Sequence, residues 1–333
     1  MNLESREVQT ETVKGLAVDH LSDSKPDDYY WIERRPKGAY IFYASIVDVP
    51  AVLEKKMPQD LEARRLLRNE YVDERLVSRI LDPRFIDEHF NPKSNEALTP
   101  QVMVMRIEFD DTVSFDDSNV AFYSANLIPQ GYLNKPQYDE IIRSGSRSLN
   151  EHAEQLKLWI ELASKINRKR IQKVPFDLRG VGFGDVDSRF TSEYRKVIGE
   201  FKFLMRIQAT KFMRSVAYGS PAIYLHPEGD KSTFQILKNC SEVVEVHSLS
   251  DDVRRKIINM PLYDVSPFVQ GNESDLMVPA MEWGKPLRDY VSITNLRRLY
   301  KAIHNGEVTD HDWRYLQRFC AALNADILNV VTK

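Results

Sequence analysis

Residues Val18–Trp31 read VDHLSDSKPDDYYW, and this stretch holds four aspartates within ten positions: Asp19, Asp23, Asp27 and Asp28. Clusters of Asp, Ser and Pro are typical of solvated turns, so an acidic surface loop is one interpretation. Carboxylates this close together repel one another unless a cation neutralises them, and hard divalent cations prefer oxygen ligands. A metal site is therefore the second interpretation, and these residues alone leave both open.

The composition of the 333-residue chain suits a globular protein with a sizeable core, because 42% of its residues are hydrophobic. The formal net charge is −3, so contact with a nucleic acid requires a local basic patch. Two cysteines, Cys240 and Cys320, argue against a disulfide framework and favour a reducing compartment. The sequence has neither an apolar run long enough to span a membrane nor an apolar signal core at its start. We therefore expect a cytoplasmic protein that makes no membrane contact.

Strand-like segments dominate the first part of the chain. The stretch YIFYASIV at 40–47 is rich in aromatic and β-branched residues, and a Pro-Lys-Gly turn signal before it predicts a hairpin with 29–34. Two further strands are predicted at 102–109 and 119–128. Helices are predicted at 58–69, 136–142, 149–170 and 192–218, after Pro286 and after Asp310. This order indicates an α+β fold in which a β-rich N-terminal part packs against a helical C-terminal part.

A second informative stretch lies near the carboxyl end, MEWGKPLRDYVSITNLRRLYKAIHNGE at 281–307. A Gly-Lys-Pro turn leads there into a predicted helix, and Arg288 stands at its start. An arginine in this position is well placed to bind a phosphate, because the amino terminus of a helix also favours an anion.

Together, the two stretches resemble the catalytic (RNB) domain of the ribonuclease II / ribonuclease R family. The family motif D-x5-D-x-D-D is matched by Asp19, Lys25, Asp27 and Asp28, and the motif T-S-P-I-R-R-Y-x-D is matched by 284–292. Looser matches are ASIVDVP for A-I-A-D, VIGEFKFLMRIQ for a helix with E-E-F-M-x-x-A-N, and GSPAIYLHPEG for P-x-L-Y-R-x-H-x-x-P. Their order implies a polar arm at residues 1–15 followed by a single RNB-like domain at 16–333.

The resemblance implies a divergent 3′→5′ exoribonuclease that hydrolyses single-stranded RNA to nucleoside 5′-monophosphates with Mg²⁺, or with Mn²⁺ in its place. It implies that Asp19, Asp27 and Asp28 ligate the metal, which activates water and stabilises the developing charge. It also implies that Asp27 and Arg288 are catalytic, with the guanidinium of Arg288 holding the scissile phosphate.

Four residues are the implied RNA contacts: Tyr71, Glu200, Arg288 and Tyr290. Tyr71 corresponds to a family tyrosine near the terminal nucleotide, where an aromatic ring stacks on a base. Glu200 corresponds to a family glutamate that faces the RNA channel. The alternatives for these two residues are a partly buried tyrosine at a helix end and an ordinary glutamate on an amphipathic helix.

Several departures from the family pattern fall at the implied site itself. Lys25 replaces the second aspartate of the first motif, and an ammonium group cannot ligate a metal. In the second motif, Asp289 replaces an arginine and Ser292 replaces an aspartate. Asp23 is close enough in sequence to replace the lost carboxylate if the loop bends. These departures favour the alternative function, a catalytically impaired RNB-domain protein that acts as an RNA-binding or protein-interaction module.

The expected partner is single-stranded RNA. Family members generally carry OB-type barrels before and after the catalytic domain, and these barrels guide single strands to the channel. Few residues precede Asp19 in this sequence. We therefore expect RNA binding to be weak, to be supplied by a protein partner that carries RNA-binding domains, or to use surface arginines such as those in NRKRIQK.

Overall fold

The computed structural model contains a β-barrel flanked by helices. The described residues are 11–19, 25–72, 75–91, 98–144, 150–173, 176–177, 193–216, 221–227, 244–245, 261–264, 280–304 and 309–331. Their strands are β1 (Thr12–Asp19), β2 (Asp28–Arg34), β3 (Tyr40–Val47), β4 (Glu70–Val72), β5 (Arg75–Ser78), β6 (Gln101–Phe109), β7 (Val120–Asn134), β8 (Phe176–Asp177), β9 (Tyr224–Pro227), β10 (Val244–Glu245), β11 (Pro261–Asp264) and β12 (Ala280–Met281). Their helices are α1 (Val49–Val52), α2 (Pro58–Leu66), α3 (Pro83–His89), α4 (Lys135–Ser144), α5 (Ala153–Lys173), α6 (Glu193–Ser215), α7 (Tyr290–Ile303) and α8 (Asp310–Val331).

Strands β1, β2, β3, β6 and β7 close into a barrel in that order. Neighbouring strands are antiparallel except β1 and β7, which run parallel and pair Asp19 with Asn134 at their carboxyl ends. The predicted hairpin is confirmed, because Arg34 lies opposite Tyr40 in the β2–β3 pair. Closure satisfies the backbone groups that an open sheet would expose at its edges.

Both faces of the barrel strands are buried, which explains why β3 reads as a nearly continuous apolar run. One face packs against α5 and α6, where the ring centroid of Phe201 lies 4.7 Å from that of Phe42 and 5.3 Å from that of Tyr30. The other face packs against α1, α2, α3 and α8. Helix α7 contributes to both cores, through Leu296 to the first and Ile293 to the second. The start of α7 is therefore fixed relative to the barrel.

Strand β1 begins at Thr12, so residues 12–15 belong to the barrel although the sequence placed them in a polar arm. The reason is that Val13 is buried among the residues of the second core, and Gly15 lies directly against the side chain of Tyr29. A charged and polar segment is compatible with a strand when its alternate residues are buried.

Strand β7 continues to Asn134, beyond the predicted range of 119–128, because β1 pairs with it from its middle to its end. Gly131 makes this continuation compatible with the packing of His152. A Cβ atom at Gly131 would lie 2.5 Å from Nε2 of His152, closer than real contacts allow.

The predicted helices are confirmed as α2, α4, α5, α6, α7 and α8, with ends that differ by a few residues. Helix α3 was not predicted, although its start carries a recognisable signal. The Asp82 side chain accepts a hydrogen bond of 2.7 Å from the backbone N–H of Arg84, and Pro83 occupies the first helical position. Among the described residues, no helix combines the length and the apolar character that crossing a membrane would require.

Candidate functional site

The acidic stretch lies at one rim of the barrel. Strands β1 and β7 both end there, at Asp19 and its parallel partner Asn134. Strand β2 starts at the same rim with Asp28, which lies opposite Ile46 near the end of β3. The side chain of Asp19 and residues 20–24 lie outside the described part of the structure.

Asp27 is fully buried and anchors this rim to the carboxyl-terminal part of the chain. Its carboxylate accepts hydrogen bonds from the backbone N–H of Leu287 at 2.7 Å and from Nε of Arg288 at 2.5 Å. Its carbonyl oxygen accepts a hydrogen bond of 3.0 Å from the N–H of Val47. The structure therefore brings together Asp27 and Arg288, which the sequence separates by 261 positions.

Backbone pairing places Arg288 in this position. The Arg288 carbonyl accepts a hydrogen bond of 2.9 Å from the N–H of Asn69, and the N–H of Tyr290 donates to the Leu67 carbonyl at 2.8 Å. Asp289 then caps α7, since its side chain accepts from the N–H of Val291 at 2.9 Å. The two backbone hydrogen bonds, from Asn69 to Arg288 and from Tyr290 to Leu67, fix the position of Arg288 just before α7 begins.

Asp28 is almost completely buried, and two groups contact its carboxylate. The hydroxyl of Tyr30 donates a hydrogen bond of 2.7 Å to Oδ2, and Nζ of Lys202 lies 3.3 Å from the same oxygen. Lys202 lies on α6, so a second cation from a distant part of the chain reaches Asp28. Sequence reasoning missed Lys202. The available signal was a lysine among apolar residues, in the sequence FKFLM of a predicted helix.

Lys25, which stands where the family motif has an aspartate, forms an ion pair with Asp87 of α3. Asn91 also donates a hydrogen bond to this carboxylate, at 2.6 Å. The hydrogen bond from Lys25 holds the pKa of Asp87 below its usual value. Lys25 thereby ties the acidic stretch to α3 and contributes no ligand to a metal.

Glu282 and Arg206 form a further ion pair close to α7. Burial alone would raise the pKa of Glu282, but the positive charges of Arg206 and Lys285 hold it below its usual value. The backbone at Glu282 is fixed by Asn295, whose amide donates to the carbonyls of Glu282 at 2.7 Å and Ile223 at 2.8 Å.

Asp289, the residue that caps α7, is a second carboxyl in this region. Burial, together with the nearby Glu282 charge, raises the pKa of Asp289 to about 7. This carboxyl therefore titrates close to neutral pH.

Asp48, directly after β3, is a buried carboxyl. It is not among the residues predicted to be catalytic or to contact RNA. Its Oδ1 atom has no hydrogen-bond partner among the described residues, and burial raises its pKa to about 6. It follows Val47, the residue that donates to the carbonyl of Asp27. Asp48 is thus part of the same rim, and it matches the aspartate of the family sequence A-I-A-D.

Of the three carboxylates that the resemblance assigns to Mg²⁺, Asp27 and Asp28 are paired with cations of the chain, and the side chain of Asp19 lies outside the described residues. No group of three or more His, Cys, Asp or Glu side chains is placed to hold a metal within the described ranges. More specifically, both carboxylate oxygens of Asp27 and one of Asp28 already contact donors, and two of these donors are the cations Arg288 and Lys202. A divalent ion would have to displace them.

The structure places the other implied RNA contacts as follows. Tyr71 lies in β4, and its side chain is outside the described residues. Glu200 is buried on α6 and accepts a hydrogen bond of 2.8 Å from the amide of Asn167. Tyr290 is buried at the start of α7, where its hydroxyl donates to Oδ1 of Asp60 at 3.0 Å. Their roles in RNA binding stay predictions.

Tyr290→Phe tests whether this tyrosine contacts RNA. We expect the variant to lose about 1 to 2 kcal/mol of unfolding free energy, because the hydroxyl no longer donates to Asp60 or accepts from Nη1 of Arg297 at 3.3 Å. Arg297 still donates to Asp60 at 2.8 Å. RNA affinity should stay unchanged, because the tyrosine is buried. Chemical denaturation and RNA titration measure the two quantities, and Tyr300→Phe on the exposed side of α7 is the matched control. A selective loss of RNA affinity would support the implied contact instead.

The comparisons with known proteins agree with this fold. A sequence profile of the RNB domain matches residues 9–280, whereas curated protein sequences give no significant match. The fold is similar to RNase R of Mycoplasma genitalium in complex with ribose-methylated single-stranded RNA, with a TM-score of 0.75 and 16% identity over 99% of this chain and 58% of that chain.

Two further solved structures share the fold. Yeast Ssd1, a pseudonuclease, gives a TM-score of 0.73 and 15% identity over 96% of this chain and 43% of Ssd1. An active-site mutant of the Dss1 exoribonuclease from Candida glabrata gives 0.70 and 16% over 96% of this chain and 46% of Dss1. The chain thus spans about half the length of these proteins, and at such identities the likeness shows the fold alone. From the profile match over most of its length, the chain belongs to the RNB domain family.

Proposed function

We propose that this chain binds single-stranded RNA at the barrel rim and does not hydrolyse it by the metal-dependent route of the ribonuclease II / ribonuclease R family. The observation that carries this proposal is the order of exposure within the two ion pairs at the rim. The Arg288 side chain is 31% exposed above a fully buried Asp27, and the Lys202 side chain is 22% exposed beside an Asp28 that is 11% exposed. An approaching polyanion therefore meets the cations first.

The state of the carboxylates supports the second half of the proposal. Metal-dependent hydrolysis needs carboxylate oxygens that are available to a cation, which then activates water. At this rim, Arg288 and Lys202 already contact those oxygens on Asp27 and Asp28. Loss of nuclease activity is compatible with the fold, since yeast Ssd1 is a pseudonuclease of similar structure.

The choice of ligand is supported by the similar structures. RNase R of Mycoplasma genitalium was solved in complex with ribose-methylated single-stranded RNA and in complex with double-stranded RNA. We extend only RNA binding to this chain, and we take single strands as the ligand because the family resemblance implies them. The protein partner that would add RNA-binding domains stays a prediction.

Lys202→Ala tests the rim as the RNA interface. We expect the Kd for a fluorescently labelled single-stranded RNA to rise roughly three- to tenfold and the salt dependence of binding to weaken by about one phosphate contact. The matched control is Lys157→Ala, which removes a lysine that pairs with Glu154 on α5. Equal losses in the two variants, or no RNA binding by the parent at low salt, would contradict the proposed interface.

The second candidate function is the Mg²⁺-dependent 3′→5′ exoribonuclease that the resemblance implies. The contact between Asp27 and Arg288 favours it, because these are the two residues that the resemblance makes catalytic. Incubation with end-labelled single-stranded RNA and Mg²⁺ or Mn²⁺ separates the two candidates. Release of nucleoside 5′-monophosphates by the parent, abolished in Asp27→Asn, would establish the exoribonuclease and reject the binding module.

A further inference from the structure

We propose that Lys202 is a permanent internal counter-ion of the acidic rim, in the place of a divalent cation. This inference rests on the proposed function, in which RNA binds without a metal. It adds a specific property: the folded rim and its RNA affinity are independent of divalent cations, and the two lysines Lys25 and Lys202 are the residues that make them so.

The pairing of two rim carboxylates with cations of the chain carries the first step. Asp27 and Asp28 contribute two negative charges, and Arg288 and Lys202 contribute two positive charges at 2.5 Å and 3.3 Å from them. Each of these two carboxylates therefore has a cation of the chain beside it without any bound ion. A divalent cation would have to compete with these two cations for the same carboxylates.

The comparison of Lys202 and Lys25 with the family residues at their positions carries the second step. Lys202 lies in the sequence GEFK, where the matching family helix reads E-E-F-M, so an ammonium group replaces an apolar side chain. Lys25 replaces an aspartate and also pairs with Asp87 instead of pointing a carboxylate at the rim. One substitution adds a cation beside Asp28, and the other removes a metal ligand. Both substitutions therefore favour a rim whose carboxylates pair with the Lys202 ammonium group over a rim that binds a divalent metal ion.

Flexible lysines on solvated helices usually gain little from ion pairs, but this pair is different. Asp28 is nearly buried and its Oδ2 also accepts a hydrogen bond from Tyr30. A buried carboxylate requires a positive partner, because leaving it uncompensated is strongly destabilising. Lys202 is the cation that reaches this oxygen.

The experiment compares the parent with Lys25→Asp/Lys202→Met, which restores both family residue types. The readouts are Mn²⁺ binding, followed by electron paramagnetic resonance of the free ion, and thermal unfolding with Mn²⁺ or with EDTA. We expect the parent to bind Mn²⁺ at least tenfold more weakly than the double variant. EDTA should leave the parent's Tm unchanged, whereas Mn²⁺ should raise the Tm of the double variant by about 5 °C.

Two further variants keep the test decisive. Lys202→Gln removes only the charge, and it should show the same Mn²⁺ response at smaller size even if the double variant does not fold. Lys165→Met removes a lysine that lies 3.1 Å from Glu161 on α5, and it should show no Mn²⁺ response. Tight Mn²⁺ binding by the parent, or an equal response in Lys202→Gln and Lys165→Met, would overturn the inference.

RNA titration of the parent in EDTA separates this inference from the proposed function. Unchanged affinity in EDTA supports the internal counter-ion, and affinity that disappears in EDTA overturns it. If the parent binds no RNA with or without Mn²⁺, the proposed function fails. In that case the Mn²⁺ and Tm measurements still decide whether the lysines replace a metal.

Discussion

Replacing Arg288 by alanine should lower the free energy of unfolding by about 3 kcal/mol, because it leaves the Asp27 carboxylate buried without its cation. Asp27 is fully buried, and its Oδ2 accepts the 2.5 Å hydrogen bond from Nε of Arg288. The backbone N–H of Leu287 still donates to the other oxygen, but a neutral donor compensates a buried charge only in part. Chemical denaturation of the parent and the variant at neutral pH measures the loss.

Two companion variants show whether the buried charge is the cause. Arg288→Lys keeps a positive charge without the guanidinium geometry, so its loss should be smaller. Asp27→Asn/Arg288→Ala removes the charge together with its partner, and it should be more stable than Arg288→Ala alone by about 1 kcal/mol or more. Such a gain in stability on removing the orphaned charge is the signature of a paired, desolvated carboxylate.

The result also discriminates between the two candidate functions. If Arg288 serves mainly to contact a scissile phosphate, its removal should abolish hydrolysis and change stability little. If Arg288 is the counter-ion of Asp27, stability falls and RNA affinity weakens without any effect on hydrolysis. An Arg288→Ala protein that unfolds within about 0.5 kcal/mol of the parent would be inconsistent with the counter-ion role.

Much of the fold follows from local pattern. The hairpin of β2 and β3 is predictable because a turn signal separates two β-rich segments, and α5 and α6 are predictable from their apolar periodicity. Closure of the barrel is not predictable in this way. It depends on parallel pairing between residues 12–19 and 126–134, and no local signal specifies a partner so distant in sequence. The same pairing explains why β7 exceeds its predicted range.

The candidate site was likewise predictable from the sequence only in part. The contact between Asp27 and Arg288 was expected from the ordered motifs of a known family, since spacing alone does not place the two ends of a chain together. Lys202 was missed, because a single lysine on an amphipathic helix usually marks a solvated face. Asn295 was also missed, although its amide joins the backbone of Ile223 to that of Glu282. Both residues act through contacts between distant elements, which sequence periodicity does not encode.

The pH dependence of stability should reveal the buried carboxyl of Asp48. Its pKa is raised from 3.8 to about 6 by burial, so the folded state binds a proton more tightly than the unfolded state. Well below pH 3.8 the carboxyl is protonated in both states and has no effect. As the pH rises from 4 to 6 the unfolded state releases its proton first, and the protein loses stability until the folded state also ionises.

Replacing Asp48 by asparagine should remove this loss. Two pKa units correspond to about 3 kcal/mol, so the stability of the variant relative to the parent should rise by about that amount between pH 4 and pH 8. The comparison between variant and parent cancels the titration of other groups such as Asp289, whose pKa is about 7. Urea denaturation at a series of pH values supplies the measurement. Asp48→Ala, which leaves a cavity, should be less stable throughout but should show the same altered pH dependence.

The charge of Asp48 should also affect RNA binding. Asp48 follows Val47, which binds the backbone of Asp27, so the unfavourable charge lies at the candidate site. Because an ionised carboxyl repels the phosphates of RNA, we expect Asp48→Asn to be more stable and to bind RNA more tightly at neutral pH. Parallel stability curves for the variant and the parent from pH 4 to pH 8 would mean that Asp48 ionises normally in the folded protein.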